Sequence, residues 1–104
     1  MIGAIAKLKI KDGERENFIE AMGNLVKAVA ENEPDCYYYE MHETDDPLTI
    51  MMIELYQSEE AHANVNMRIH SSNSFEELAS QLRSEQDAYK AELSFIKNER
   101  KIIC

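Results

Sequence analysis

EPDCYYYEMHETDDPLTIMMIELY, residues 33–56, shows the topology of the chain most directly. Two strand-like runs, residues 36–43 and 48–56, stand on either side of an Asp-Asp-Pro turn. Aromatic and β-branched residues favour extended backbone, and a short polar link makes two strands antiparallel neighbours. The stretch therefore predicts a β-hairpin that carries tyrosine, histidine and glutamate side chains at alternating positions.

Before the hairpin, the apolar pattern predicts a strand and then a helix. The strand has an unbroken apolar row on one face, formed by Ile2, Ala4, Ala6, Leu8 and Ile10. After a break at Asp12-Gly13, the period changes. Between about residues 14 and 31 the apolar side chains recur at helical spacing, at Phe18, Met22, Leu25, Val26 and Val29. Residues 32–35, which include a proline, are expected to end this helix.

The second half of the chain predicts two more helices and a last strand. Ser58 is a suitable N-cap for a short helix that ends near residue 65, and residues 66–73 are expected to form a loop. The sequence Ser74-Phe75-Glu76-Glu77 is a capping box and predicts a further helix that extends to about residue 90. Residues 93–97 are expected to form the last strand. The order β-α-β-β-α-α-β predicts one α+β domain over residues 1–104, a ferredoxin-like sandwich with a four-stranded antiparallel sheet and helices on one face.

The strand at residues 48–56 is apolar on both of its faces. Ile50 and Met52 lie on one side, and Met51, Ile53 and Leu55 lie on the other. A strand that is apolar on both faces is buried on both faces. One layer of helices can cover only one of them, so we expect a second copy of the chain to cover the other, in a homodimer.

Composition excludes several classes of partner. The formal net charge is −9, and no cluster of lysine and arginine is present to neutralise phosphates, so neither nucleic acid nor an anionic membrane surface is an expected partner. No apolar run approaches the roughly 20 residues of a membrane-spanning helix. The chain has two cysteines, one of them the last residue, which is not a disulfide framework. A reducing cytoplasm is the expected compartment.

Glu54 is the most unusual polar residue of the predicted sheet. Five of the six residues before it are apolar, in a strand that should be covered, and a buried carboxylate must be paired, hydrogen-bonded or have a raised pKa. Tyr39 and Tyr56 lie on the same hairpin. Glu54 is therefore a pocket residue, a solvated charge at the edge of the sheet, or a member of a structural ion pair. The tyrosines either line the same pocket or are ordinary strand residues.

Alternation and position give expectations for the remaining polar side chains. Successive side chains of a strand point to opposite faces. Tyr37, Tyr39 and Met41 are therefore expected on one face of the second strand, and Cys36, Tyr38, Glu40 and His42 on the other. His70 lies in the predicted loop, where a neutral imidazole can act as a general base near neutral pH or simply face solvent. His62 is expected on the exposed side of its helix.

No sequence motif predicts a metal or an organic cofactor. Neither Cys-x-x-Cys nor His-Glu-x-x-His spacing occurs, and the three histidines are dispersed. With three glycines in all, the chain has no phosphate-binding loop and no dinucleotide fingerprint. An enzyme built on this chain is expected to work without either kind of group.

Several short segments, taken in order, resemble the antibiotic biosynthesis monooxygenase family, in the branch that contains quinol monooxygenases. Glu33-Pro34-Asp35-Cys36 and the following Tyr39-Glu40-x-His42 resemble the family's Glu-Pro-Gly-Cys and Tyr-Glu-x-His segment. The turn at residues 11–14, Asp46-Pro47 and Glu54-x-Tyr56 match in the same order. The resemblance covers nearly the full length of the chain.

The resemblance implies a dimeric α/β barrel with one pocket in each subunit. Many members oxygenate phenolic or quinol-like rings with molecular oxygen alone, because a base removes a proton and the resulting anion passes an electron to oxygen. For this chain it implies a small aromatic or hydrophobic substrate and no cofactor. It also implies that His70 is the base, and that Glu54, Tyr39 and Tyr56 are its proton partners or orient the substrate.

The chain departs from the family pattern in two places. Where the family often has a histidine followed by Ser-Pro-His-Phe, this chain has MRIHSSNSF at residues 67–75, so His70 is displaced or residues are inserted. The chain has no tryptophan, and the tryptophan, asparagine and histidine of haem-degrading relatives have no match, which disfavours haem degradation. A dimeric barrel that binds a small ligand or serves a stress response without turnover remains an alternative, as does isomerase chemistry on a small metabolite.

Overall fold

The computed structural model describes residues 1–83 and 86–93, which form one antiparallel sheet and three helices. The strand order across the sheet is β2-β3-β1-β4, and each neighbouring pair is antiparallel. This confirms the predicted ferredoxin-like fold. The elements are β1 (Ile2–Lys9), α1 (Arg15–Asn32), β2 (Cys36–Glu43), β3 (Thr49–Tyr56), α2 (Glu59–His70), α3 (Asn73–Gln81) and β4 (Asp87–Glu92).

The predicted hairpin is the β2–β3 pair, and the side chain of Asp46 holds its turn. One carboxylate oxygen of Asp46 accepts a hydrogen bond from the backbone N–H of Leu48 at 2.9 Å. The other accepts one from the hydroxyl of Thr49, also at 2.9 Å. An aspartate that bonds to the backbone two residues onward is a common way to close a turn. The bounds predicted for both strands are confirmed to within one residue.

The core lies between the sheet and α1. The helix buries Phe18, Met22, Leu25 and Val29, which recur every three or four residues as the apolar pattern predicts. The inward side chains of β3 are buried as well, and they alternate with half-buried outward ones. The inward set is Ile50, Met52, Glu54 and Tyr56. A carboxylate therefore belongs to a row that is otherwise hydrophobic or aromatic.

A β-bulge corrects the predicted faces of β2. Strict alternation places Cys36 with Tyr38, but the register shifts between these two residues, so that Cys36 lies opposite the buried Tyr56. Two residues of a bulged strand face one residue of its partner, which moves the following side chains to the opposite face. Cys36 thus shares the helix-covered face of the sheet with Tyr39, while Tyr38, Glu40 and His42 lie on the outer face.

Helix α2 is longer than predicted. Ser58 is its N-cap, as expected, and its hydroxyl accepts a hydrogen bond from the N–H of Ala61 at 3.1 Å. The helix continues to His70, so the loop predicted for residues 66–73 is wrong. The reason lies in its buried stripe, in which Val65 and Ile69 follow Ala61 at intervals of four residues. Packing against this stripe outweighs the polar residues between its members.

The last helix and strand also differ from the prediction. Helix α3 begins at Asn73 with Ser72 at its N-cap position, so Ser74 lies inside the helix and the predicted capping box is wrong. The helix ends at Gln81 rather than near residue 90, and β4 occupies residues 87–92, where the sequence predicts helix. Pairing with β1 supplies the backbone hydrogen bonds of β4, which outweighs the weak strand propensity of Asp-Ala-Tyr-Lys-Ala-Glu. The strand predicted for residues 93–97 lies, from residue 94 onward, outside the described part of the chain.

Candidate active site

A cavity of about 400 Å³ lies between the inward face of the sheet and the three helices. Its apolar side chains include Met22 and Leu25 of α1, Ile69 of α2 and Leu78 of α3. Cavities that are mostly apolar and hold a few convergent polar groups are typical of small-molecule sites. The polar side chains that reach this one are Tyr39, Glu54, His62, Asn66, His70 and Lys90.

Small residues on two strands leave room for the cavity. Ala4 and Ala6 of β1 face the helices, and Ala6 pairs with Ala88 of β4 across the sheet. On the next strand, the inward position beside Ala6 is filled by Met52. The sheet therefore supplies a low floor under α2 and α3, because three of its inward positions carry only a methyl group.

Glu54 lies at one end of this floor, and its carboxylate is bound to Tyr56. Its side chain is 9% exposed, and the hydroxyl of Tyr56 donates a hydrogen bond to its Oε1 atom. Burial raises the pKa of Glu54, and the bond from Tyr56 opposes this only in part. Removal from water raises the pKa of Tyr56 as well, and the neighbouring Glu54 raises it further. Tyr56 is therefore a stable proton donor to the carboxylate.

Tyr39 stands beside Glu54 on the neighbouring strand. The two residues are register partners in the β2–β3 ladder, so their side chains share the inward face. Burial raises the pKa of Tyr39, and the charge of Glu54 adds to this. Tyr39 thus keeps its phenolic proton and can donate a hydrogen bond to a ligand in the cavity.

His62 and Asn66 form a second polar pair, on α2. The Nε2 atom of His62 is 3.0 Å from the side-chain nitrogen of Asn66, so this ring nitrogen accepts the hydrogen bond. The ring also contacts Tyr56 edge-on, with 4.7 Å between centroids. Burial lowers the pKa of His62, and the ammonium of Lys90 lowers it further. The predicted exposure of His62 is wrong, because the side chain is half-buried in the cavity wall.

His70 also reaches the cavity, but from the last turn of α2 rather than from a loop. Its ring stacks on Phe75 of α3, with 4.3 Å between centroids and 22° between planes. His62, Asn66 and His70 follow one another at intervals of four, which places them on one face of the helix. This spacing is the sequence signal for Asn66, and it is missed when the helix is ended at residue 65.

The structure brings together three of the four predicted site residues in the cavity wall: Glu54, Tyr39 and His70. The fourth, Tyr56, is fully buried behind the wall and acts on Glu54 through its hydrogen bond. Cys36 does not join them as a nucleophile, because burial raises the pKa of its thiol to about 11. Among the described residues, no group of three or more histidine, cysteine, aspartate or glutamate side chains is placed to hold a metal ion.

Replacing Glu54 with glutamine is expected to stabilise the protein at pH 8 but not at pH 4. Because the pKa of Glu54 is raised, the folded protein keeps a proton that the unfolded chain loses above pH ~4.3. The free energy of unfolding of the wild type therefore falls as the pH rises from ~4.3 through the raised pKa of the folded protein. Glutamine does not titrate. Thermal unfolding should therefore show a Tm gain of several degrees at pH 8, since 1 kcal/mol corresponds to roughly 4–8 °C in a domain of this size.

The control for this measurement is Glu20→Gln, which changes an exposed glutamate of α1. Its Tm should follow that of the wild type at both pH values. An equal Tm gain for Glu54→Gln at pH 4 and pH 8, or a loss at pH 8, would contradict the assigned cost of burying this carboxylate.

The fold and family are also shown by comparison with known proteins. A model of the family described as antibiotic biosynthesis monooxygenase matches residues 1–70. A structure provisionally assigned to that class, from Nitrosomonas europaea, superimposes with a TM-score of 0.81 at 18% identity, covering 91% of this chain and 100% of the other. A similarly assigned structure from Caulobacter crescentus gives 0.78 at 19% identity, covering 90% of each chain.

These comparisons carry different weights. At such low identities the two structures show the fold alone, and a search of curated proteins gives no match. The family model is more specific, because it covers β1, α1, the hairpin and the whole of α2. Since that match extends over more than half of its 104 residues, the chain belongs to the antibiotic biosynthesis monooxygenase family.

Proposed function

We propose that this protein is a cofactor-independent monooxygenase that oxidises a small aromatic, quinol-type substrate with molecular oxygen. The observation that carries the proposal is Glu54, a carboxylate with a raised pKa that is held by Tyr56 in the wall of a mostly apolar cavity. A base whose pKa lies closer to neutral takes and releases protons near neutral pH more readily than an ordinary carboxylate. The family membership of the chain supports the same chemistry.

Glu54 is the proposed base of this reaction, and His70 is a second proton acceptor at the same cavity. The carboxylate removes a proton from a methylene or hydroxyl group of the substrate, which leaves an electron-rich anion. Tyr39 donates a hydrogen bond to that anion, and the apolar walls keep water away from it. The anion then reduces oxygen directly.

For an anthrone, the proposed reaction balances without another reductant. The activated CH₂ carbon becomes a carbonyl and is oxidised by four electrons. One atom of O₂ forms the new C=O bond, and the other leaves as water with the two hydrogens of that carbon. The protein supplies the base, the hydrogen-bond donor and the sheltered cavity.

Oxygen consumption with a panel of anthrones and naphthoquinols tests this function. The protein is first treated with a chelator and desalted, and no flavin, nicotinamide or metal is added. We expect saturable oxygen uptake above the rate of spontaneous oxidation, and incorporation of one ¹⁸O atom from ¹⁸O₂ into each anthrone product. Saturable binding of these compounds without added uptake would contradict the proposal and favour a protein that only binds small ligands.

The outer face of the sheet supports the homodimer as part of this proposal. Met51, Ile53 and Leu55 of β3 are half-buried there, and Ile5, Tyr38 and Tyr89 from the other three strands are exposed beside them. Such a broad apolar surface is unusual on a single soluble chain. A second copy that packs sheet against sheet would cover it. The face also holds the Nδ1 atom of His42, which is buried without a hydrogen-bond partner among the described residues.

The proposed location is a reducing cytoplasm. Cys36 is a free thiol, and its raised pKa keeps it protonated at neutral pH. Free thiols persist most readily where the cellular thiol pool is reduced. None of the helices described by the structure combines the length with the apolar character of a membrane span.

A further inference from the structure

We infer that the cavity selects aromatic substrates that carry a carboxylate, and that Lys90 is the specificity-determining residue that binds this group. The inference rests on the proposed function for the position of the substrate, and it names a class of substrate for that site. Among the described residues that line the cavity, Lys90 is the only lysine or arginine.

The register of the sheet places Lys90 and Glu54 on either side of a small residue. Ala4 of β1 pairs with Glu54 on one side and with Lys90 on the other, and all three line the cavity. Neighbouring strands lie about 4.8 Å apart, so the backbones of Glu54 and Lys90 are roughly 10 Å apart. A ring system of one or two rings that lies over Ala4 can therefore place a reacting carbon near Glu54 and a carboxylate near Lys90.

Without a ligand, the ammonium of Lys90 is held by Glu59. It donates a hydrogen bond to that carboxylate, which lies in the first turn of α2. The side chains of Lys90 and Glu59 are 43% and 60% exposed, and ion pairs as open to water as this contribute little to stability. A ligand carboxylate in the less hydrated cavity can therefore displace Glu59 at little cost.

The position of His62 supports this placement of Lys90. His62 lines the same cavity, and the ammonium of Lys90 contributes to the lowered pKa of the imidazole, so the two groups lie close enough to interact. An anion between them would meet the positive charge of Lys90 and a neutral ring that can donate a hydrogen bond from Nδ1. The whole chain is strongly acidic, with a net charge of −9. Preference for an anion must therefore come from a local group.

The test compares binding of 2-naphthoate with that of its neutral isostere 2-naphthamide, by isothermal titration calorimetry without turnover. We expect the wild type to bind naphthoate at least about tenfold more tightly, which corresponds to ~1.4 kcal/mol. Lys90→Gln should reduce the ratio to near one while leaving naphthamide binding within twofold. Glu59→Gln should tighten naphthoate binding several-fold, because it releases Lys90. Lys27→Gln, on an exposed site of α1, is the matched control and should keep the wild-type ratio.

A ratio near one in the wild type, or a ratio that survives in Lys90→Gln, would overturn the inference. If Lys90→Gln binds neither ligand, Lys90→Arg decides, since a tenfold preference for naphthoate supports the inference and no preference overturns it. The two proposals can fail separately. Oxygen uptake with neutral anthrones together with a ratio near one overturns only the role of Lys90. A tenfold preference that depends on Lys90, without oxygen uptake from any substrate, overturns only the monooxygenase proposal.

Discussion

Glu54→Gln is expected to lower the rate of substrate-dependent oxygen consumption by about 10²–10⁴-fold, the usual contribution of a positioned general base. Glutamine has nearly the same shape as glutamate and can still accept the hydrogen bond from Tyr56, so the cavity should keep its form. What it lacks is the ability to take a proton. The loss should therefore appear mainly in kcat, with KM changed much less.

The pH dependence of the same reaction provides an independent readout. Because the carboxylate is the proposed base, the rate should rise with pH through the raised pKa of Glu54. The hydrogen bond from Tyr56 favours the ionised form, so its removal in Tyr56→Phe should move this rise to higher pH. A merely structural role of Tyr56 would lower the rate without moving the profile.

Two further variants decide between the candidate bases. Glu20→Gln, on the exposed side of α1, should keep the wild-type rate and profile. His70→Asn should reduce the rate less than Glu54→Gln, because the His70 side chain lies exposed at the end of α2, whereas Glu54 is buried beside the floor. Full activity in Glu54→Gln together with its loss in His70→Asn would assign the base to His70 instead.

The expected results for Glu54 also connect stability with function. The same substitution is predicted to raise the Tm at pH 8 and to lower the rate of turnover by about 10²–10⁴-fold. Residues that destabilise the folded state occur mainly in active sites, where the function of the protein depends on them. Finding both effects in one variant would distinguish a functional carboxylate from a structural one.

The sequence was sufficient for the first half of the fold because local signals and packing agree there. The hairpin has strand-forming residues on both sides of a clear turn, and α1 has an unbroken apolar stripe. The buried Glu54 could be singled out for the same reason, since it interrupts a row of apolar residues in a strand with a secure register. Sequence also placed Tyr39 and Glu54 on one hairpin, and the structure shows that they are register partners in its ladder.

The second half was harder to predict because long-range contacts outweigh local preferences there. Strand β4 has little strand propensity of its own and depends on pairing with β1, whose partner residues are 80 to 90 positions away in the sequence. The first half holds one exception, the bulge at Cys36, which moves a side chain to the other face without a proline or glycine within it to mark it. Lys90 was missed because its inward direction depends on the register of β4, which the long-range pairing with β1 sets.

Ile53→Arg is expected to convert the proposed homodimer to single chains. Ile53 lies near the centre of the outer face of β3, between Ile5 of β1 and Glu40 of β2. In a sheet-to-sheet dimer this position would be removed from water, and an unpaired buried charge costs about 3–5 kcal/mol. A symmetric interface contains the substitution twice. The dissociation constant should therefore rise by at least about a hundredfold, since each 1.4 kcal/mol is a factor of ten.

Light scattering after size-exclusion chromatography, at tens of micromolar protein, checks this result. The wild type should have twice the chain mass of 12.0 kDa, and Ile53→Arg should have the single-chain mass. Met67→Arg is the matched control, because it replaces another exposed apolar residue, 61% accessible on α2, that lies away from the sheet. Unchanged circular dichroism would show that Ile53→Arg is folded. A wild type that elutes as a single chain would contradict the dimer, because its apolar outer face would then be stable in water without cover.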